Sequence, residues 1–130
     1  MTKPTQDFAR RPGFCRSGLG LVAALCLLGC GAGTTIDEYP CPDEGTELTY
    51  DNFGESFLVA YCQRCHGAPL GSRNGAPTEY DFATLDDVHQ WQDRIFARAA
   101  ADNSSMPPGP DDPSLRERVM LADWLACGAP

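Results

Sequence analysis

Cys62-Gln63-Arg64-Cys65-His66 sets two thiols and an imidazole within one short stretch of chain. Thiols three residues apart can each reach one vinyl group on the same edge of a porphyrin. The histidine that follows then lies under the iron, so C-x-x-C-H reads as a covalent haem attachment. Three other chemistries use the same letters. A thioredoxin-like dithiol belongs beside a βαβ pattern, and the sequence carries none. A zinc site needs four ligands, and the remaining candidates, His89 and Cys127, make no second closely spaced pair. A plain disulfide is the third.

The other cysteines bear on the choice. Seven cysteines in 130 residues require an explanation. Residues 1–29 read as a removable export signal: Lys3, Arg10, Arg11 and Arg16 supply positive charge ahead of the apolar run Leu19–Leu28. That run is about half the length a membrane-spanning helix needs. Leu27-Leu28-Gly29-Cys30 looks like a bacterial lipobox, with Cys30 receiving the lipid; an ordinary cleaved signal or an uncleaved anchor are the alternatives. Arg10-Arg11 is followed by Pro12-Gly13-Phe14, a poor match to a twin-arginine signal.

Export places the later cysteines where disulfides persist, and it is also outside the cytoplasm that bacteria attach haem to such motifs. Cys15 and Cys26 leave with the signal, Cys30 takes lipid, and Cys62 and Cys65 take haem. Cys41 and Cys127 remain as one disulfide pair, with separate thiols or an intermolecular bridge as alternatives. From Cys30 onward the chain holds six Arg, no Lys and seventeen Asp plus Glu, a net charge of −11. That sign excludes nucleic acid as a partner. It suits either steering toward basic partners or a plain solvated surface.

The elements that must position the motif are helical. Gly31–Pro40 is small and polar, so residues 30–48 read as a tether and residues 49–130 as the domain. The spacing predicts a helix over Asp51–Tyr61, capped by Asp51 or Asn52, with Phe53, Phe57, Leu58 and Tyr61 on its apolar face. Gly67–Tyr80 is rich in Gly, Pro, Ser and Asn and reads as loop. A second helix spans Thr84–Ala101, with Thr84 and Asp87 at capping-box spacing and Val88, Trp91, Ile95 and Ala99 facing the core. Pro107, Pro108 and Pro110 exclude helix from Asn103–Asp111. The last helix runs from about Pro113 to Ala126, capped by Asp112 or by Ser114 with Glu117. Leu121, Trp124 and Leu125 make its buried stripe, and Gly128 stops it. No segment alternates with period two.

From Thr49 to Pro130 this pattern resembles the class I c-type cytochromes. Gly54 and Leu58 lie eight and four residues before Cys62. The resemblance implies that they pack the first helix against the last, with Trp124 as the aromatic partner. Gly75-Ala76-Pro77 is similar to the loop whose proline carbonyl holds the free N–H of the proximal histidine. Ser105-Met106-Pro107-Pro108, forty residues after His66, resembles the segment that delivers an axial methionine. Two departures stand out: Cys41 and Cys127 flank the domain where most relatives have none, and Leu58 replaces the usual aromatic residue.

The resemblance implies an all-α, cytochrome c-like single domain with three or so helices around one covalently bound haem c. Its iron would sit between His66 and Met106. Trp91 is expected either at the haem edge or in the core. Arg94 is expected either on a propionate, since guanidinium binds carboxylates bidentately, or in solvent. Met120 reads as core packing and His89 as a surface residue. The implied function is one-electron transfer with redox proteins, in a chain lipid-anchored in the bacterial cell envelope and facing the periplasm, with no small-molecule substrate. The alternatives are a haem-bearing accessory subunit of a larger redox complex, or a small peroxidase if Met106 leaves the iron open. A peroxidase requires a distal acid–base residue, and none is evident in the sequence.

Overall fold

A computed structural model describes residues 33–69 and 71–130. The export signal and Cys30 lie outside the described residues. Four α-helices follow in chain order: α1 Glu55–Tyr61, α2 Gln63–His66, α3 Leu85–Ala99 and α4 Leu115–Ala126. A π-helical turn, Tyr50–Gly54, runs directly into α1, and a 3-10 turn covers Ile36–Glu38. No strand occurs among the described residues, so the fold class is all-α. No helix among them is long and apolar enough to cross a membrane.

Local chemistry sets each helix start. Thr84 accepts from the Asp87 amide at 3.2 Å while the Asp87 carboxylate accepts from the Thr84 amide at 3.0 Å. Ser114 and Glu117 repeat this reciprocal box at the start of α4, so Ser114 rather than Asp112 is the cap. The first helix differs from expectation. Thr49, not Asp51 or Asn52, is its cap; Asn52 is the returning partner, accepting from the Thr49 amide at 2.8 Å. Thr49 holds the extended backbone a cap requires, which starts the helical run at Tyr50, one residue upstream of Asp51.

The core gathers one face from each long element. Phe53, Phe57 and Leu58 meet Val88, Ile95, Phe96 and Ala99 from α3 and Leu121, Trp124 and Leu125 from α4. Trp124 is fully buried, and its ring lies directly on the Gly54 backbone. A Cβ at Gly54 would stand 2.5 Å from that ring, so only glycine permits the approach. The Trp124 indole N–H donates to the Pro130 carbonyl at 3.2 Å.

The stretch read as a tether touches the domain at several points. Ile36 and Tyr39 rest against the core, and the Tyr39 ring sits 5.6 Å from that of Phe96. The Tyr39 hydroxyl donates to Asp123 at 2.9 Å, and the Asn103 amide donates to the Thr34 carbonyl at 2.8 Å. A disulfide joins Cys41 to Cys127. It closes a span of 86 residues, which loop entropy rates at roughly 4 kcal/mol of stabilisation. The segment is therefore joined to the domain through Thr34, Ile36, Tyr39 and Cys41. Two aromatic or branched side chains in an otherwise small, polar run are enough to dock it.

Candidate functional site

A cleft of about 330 Å³ opens where α1 and α2, the loop after α2, the C-terminal half of α3 and the loop before α4 converge. This lies within the range of roughly 300–1,000 Å³ typical of cofactor sites. Its lining brings together Cys62, Cys65, His66, Pro77, Arg94 and Met106. Phe57, Ile95, Ala99 and Pro107 make its apolar surface.

The cysteines arrive on a helical turn. The amides of Cys65 and His66 both donate to the Cys62 carbonyl, at 3.1 and 2.9 Å. Both thiols are free. Burial, with Cys65 nearby, pushes the Cys62 thiol up to about 12. Reactive dithiols lower a thiol pKa to expose thiolate, and this site does the reverse. Among the described residues, no three His, Cys, Asp or Glu side chains converge as an ion site. A zinc site built from protein ligands alone requires four.

His66 is held on two sides. Its Nδ1 lies 2.8 Å from the Tyr80 carbonyl. A carbonyl only accepts, so Nδ1 carries the proton, which in the neutral ring leaves the lone pair on Nε2. The ring stacks on Phe82 at 4.6 Å and 23°. Phe82 is itself tied down: its amide donates to the His66 carbonyl at 2.7 Å, and its carbonyl accepts from Gln63 at 3.1 Å. The acceptor for His66 is therefore Tyr80, not Pro77 as the sequence suggested. The Pro77 carbonyl is engaged within its own turn, accepting from the Tyr80 amide and from Arg73, both at 3.3 Å.

Met106 enters the cleft from an irregular loop and is 41 % exposed. Its backbone is fixed although no helix carries it. Its amide donates to the Arg98 carbonyl at 2.9 Å. Its carbonyl accepts from Arg118 Nη1 at 2.9 Å, and the same nitrogen reaches the carbonyls of Ala99 and Asn103 at 2.9 and 3.0 Å. Arg118 is buried. Sequence reasoning missed it, although a signal was present: it lies three residues before Leu121 on the apolar stripe of α4, where a charge calls for partners.

Two expectations resolve differently from each other. Arg94 lines the cleft with its guanidinium 5.1 Å from the Tyr80 ring centroid. Trp91 does not line it; its ring meets the Tyr80 ring edge-on at 4.7 Å. Tyr80, from the loop, stands where the α3 periodicity alone would have put Trp91. His89 also lies away from the cleft, its Nε2 3.0 Å from the Ala129 carbonyl. Met120 is partly buried against the core.

The donor set suits a haem. An imidazole with a free Nε2 and a thioether are the ligands iron takes in a porphyrin of the cytochrome c kind, and two free thiols on one helical turn share the apolar cleft with them. Comparison with protein-family models, curated proteins and solved structures finds no match to this chain.

Proposed function

We propose that this chain carries one haem c, attached through Cys62 and Cys65 with His66 and Met106 as axial ligands, and serves as a one-electron carrier. One observation carries the reading: a single apolar cleft collects both thiols, an imidazole with its Nε2 lone pair free, and a thioether from forty residues further along the chain. Of the chemistries open to C-x-x-C-H, only haem attachment uses all four groups together. The iron of such a group takes up and releases one electron, while the porphyrin does the electronic work.

The protein's own part is positional and electrostatic. Tyr80 and Phe82 orient His66, Arg118 and Arg98 hold the backbone of Met106, and the apolar lining excludes water. A His/Met pair favours the reduced state and raises the potential. The arrangement is cytochrome c-like in this reading: the Gly54–Trp124 contact joins the first helical run to the last and sets the floor on which the motif sits. Arg94 and Arg98, both on the cleft lining, are guanidinium groups available to haem carboxylates; Arg64, also on the lining, is engaged by Asp111 and the Gly109 carbonyl. The export signal and Cys30 lipidation complete the proposal, placing the carrier on a bacterial envelope membrane, facing the periplasm and exchanging electrons with protein partners.

Thioether attachment survives denaturation. The protein should keep its haem through denaturing electrophoresis and stain for peroxidase activity, and Cys62→Ser combined with Cys65→Ser should abolish the stain. Haem that extracts from the wild type into acidic acetone would defeat the proposal. Wild-type protein should fractionate with membranes and Cys30→Ala protein should not.

A further inference from the structure

We propose that Arg73 sets the electron-donating strength of His66 by sharing the Tyr80 carbonyl oxygen with it; this rests on the haem reading above. The Tyr80 oxygen accepts from His66 Nδ1 at 2.8 Å and from Arg73 Nη2 at 2.6 Å. A carbonyl oxygen has two lone pairs, and here both are engaged. One donor is a neutral imidazole and the other is a guanidinium, whose charge-assisted bond is the stronger.

Arg73 is built into the loop rather than laid over it. Its side chain is 14 % exposed. Its other contacts are the carbonyls of Gly67 at 3.4 Å and Pro77 at 3.3 Å, and the Asp81 carboxylate at 3.5 Å. Its Nε is buried without a partner. The guanidinium therefore sits where the carbonyls draw it, at the cost of one unpaired N–H.

The chemical consequence follows from the shared acceptor. An imidazole that donates its Nδ1–H to a strong acceptor becomes more basic at Nε2 and a better donor to a metal. A guanidinium on the same oxygen draws electron density away, so the acceptor is weakened toward His66. A less basic Nε2 donates less to iron, which favours the ferrous state and raises the potential. Asp81 offsets most of the net charge of Arg73, so the effect is carried by the shared oxygen rather than by a long-range field.

The test uses the haem-loaded protein. Arg73→Met should leave haem attached and the methionine–iron charge-transfer band in place. The potential should fall, by about a tenfold change in the oxidised-to-reduced ratio, which is 59 mV for one electron. In the reduced protein the His66 Nδ1–H proton resonance should move downfield as its hydrogen bond strengthens. Arg73→Met combined with Asp81→Asn preserves net charge and should keep both changes. Arg73→Gln, the milder variant should the methionine fail to fold, should shift both readouts the same way by less.

An unchanged potential and an unchanged Nδ1–H resonance would overturn the proposal. So would a potential that returns to wild type in the double variant, or one that falls only with loss of the charge-transfer band. The first would show that Arg73 has no influence on His66, the second a pure charge effect, and the third a merely structural role for the loop. Wild-type protein without covalent haem would defeat the underlying reading and the tuning with it; haem-bearing variants that do not respond would defeat the tuning alone.

Discussion

His66 and Met106 reach the same cleft by different means. His66 rides on α2 and is oriented through its ring, by the Tyr80 carbonyl and the Phe82 face. Met106 has no helix beneath it and is placed through its backbone alone. On the proposed reading, Met106→Ala should leave haem attached, because Cys62, Cys65 and His66 are untouched. The iron should become high-spin or take up water, the potential should drop, and carbon monoxide or imidazole should bind far more readily. Absorption spectra and redox titration check this. Met120→Ala should leave the spectrum unchanged, since that side chain packs on the core away from the cleft. A low-spin spectrum and unchanged potential in the Met106 variant would remove it as a ligand.

Helices here act as brackets for irregular segments, and two contacts do most of that work. The first is the Trp124 ring on the Gly54 backbone. Gly54→Ala gains helix propensity but forces a methyl into the indole, so overpacking by about 1–3 kcal/mol should dominate. Chemical denaturation should show the loss, with the haem spectrum largely preserved. The second is Arg118, which ties α4 to the end of α3 and to the loop of Met106 through three carbonyls. Arg118→Met leaves those acceptors without their donor and should destabilise the fold by about 1–3 kcal/mol, the desolvation cost of a buried polar group left unmet. It should also weaken the methionine–iron band, which a remote stability defect would not do. The starts of α3 and α4 were legible because capping boxes are local: Thr84 with Asp87 and Ser114 with Glu117 lie three residues apart; the equally local box of Thr49 with Asn52 was not read. Arg118 was not read, because two of its acceptors, Asn103 and Met106, come from a loop whose path residue spacing does not encode.

Across the whole molecule, the disulfide and the docked 34–48 segment close the fold around its ends. Cys41–Cys127 links the start of the domain to the end of α4, and Tyr39 adds its ring contact to Phe96 and its hydrogen bond to Asp123. Replacing Cys41 and Cys127 together by Ser should cost roughly 4 kcal/mol in the loop-entropy treatment. Thermal unfolding with and without reductant checks this: the wild type should lose stability on reduction and the double variant should not respond. On the proposed reading haem should remain attached in both, because Cys62 and Cys65 are separate from the bridge. The acidic surface is a property of this same scale.

Spacing alone determined what depends on near neighbours. C-x-x-C-H, the Phe53–Phe57–Leu58 face, the capping boxes and the proline-rich break before α4 are all relations over a few residues, and helix geometry converts each directly into a position. The pairing of Cys41 with Cys127 was also reachable, by accounting for the remaining cysteines. Tertiary structure decided the rest. It paired the His66 Nδ1–H with Tyr80 instead of Pro77, set Tyr80 between Trp91 and the cleft, brought Ile36 and Tyr39 of the segment read as a tether against the core, and drew Arg73 and Arg118 onto the backbone carbonyls of Tyr80 and Met106 in two loops. The physical reason is common to all four. Loops rich in glycine and proline have no fixed period, so which carbonyl faces which donor is settled only when the packed helices fix where each loop begins and ends.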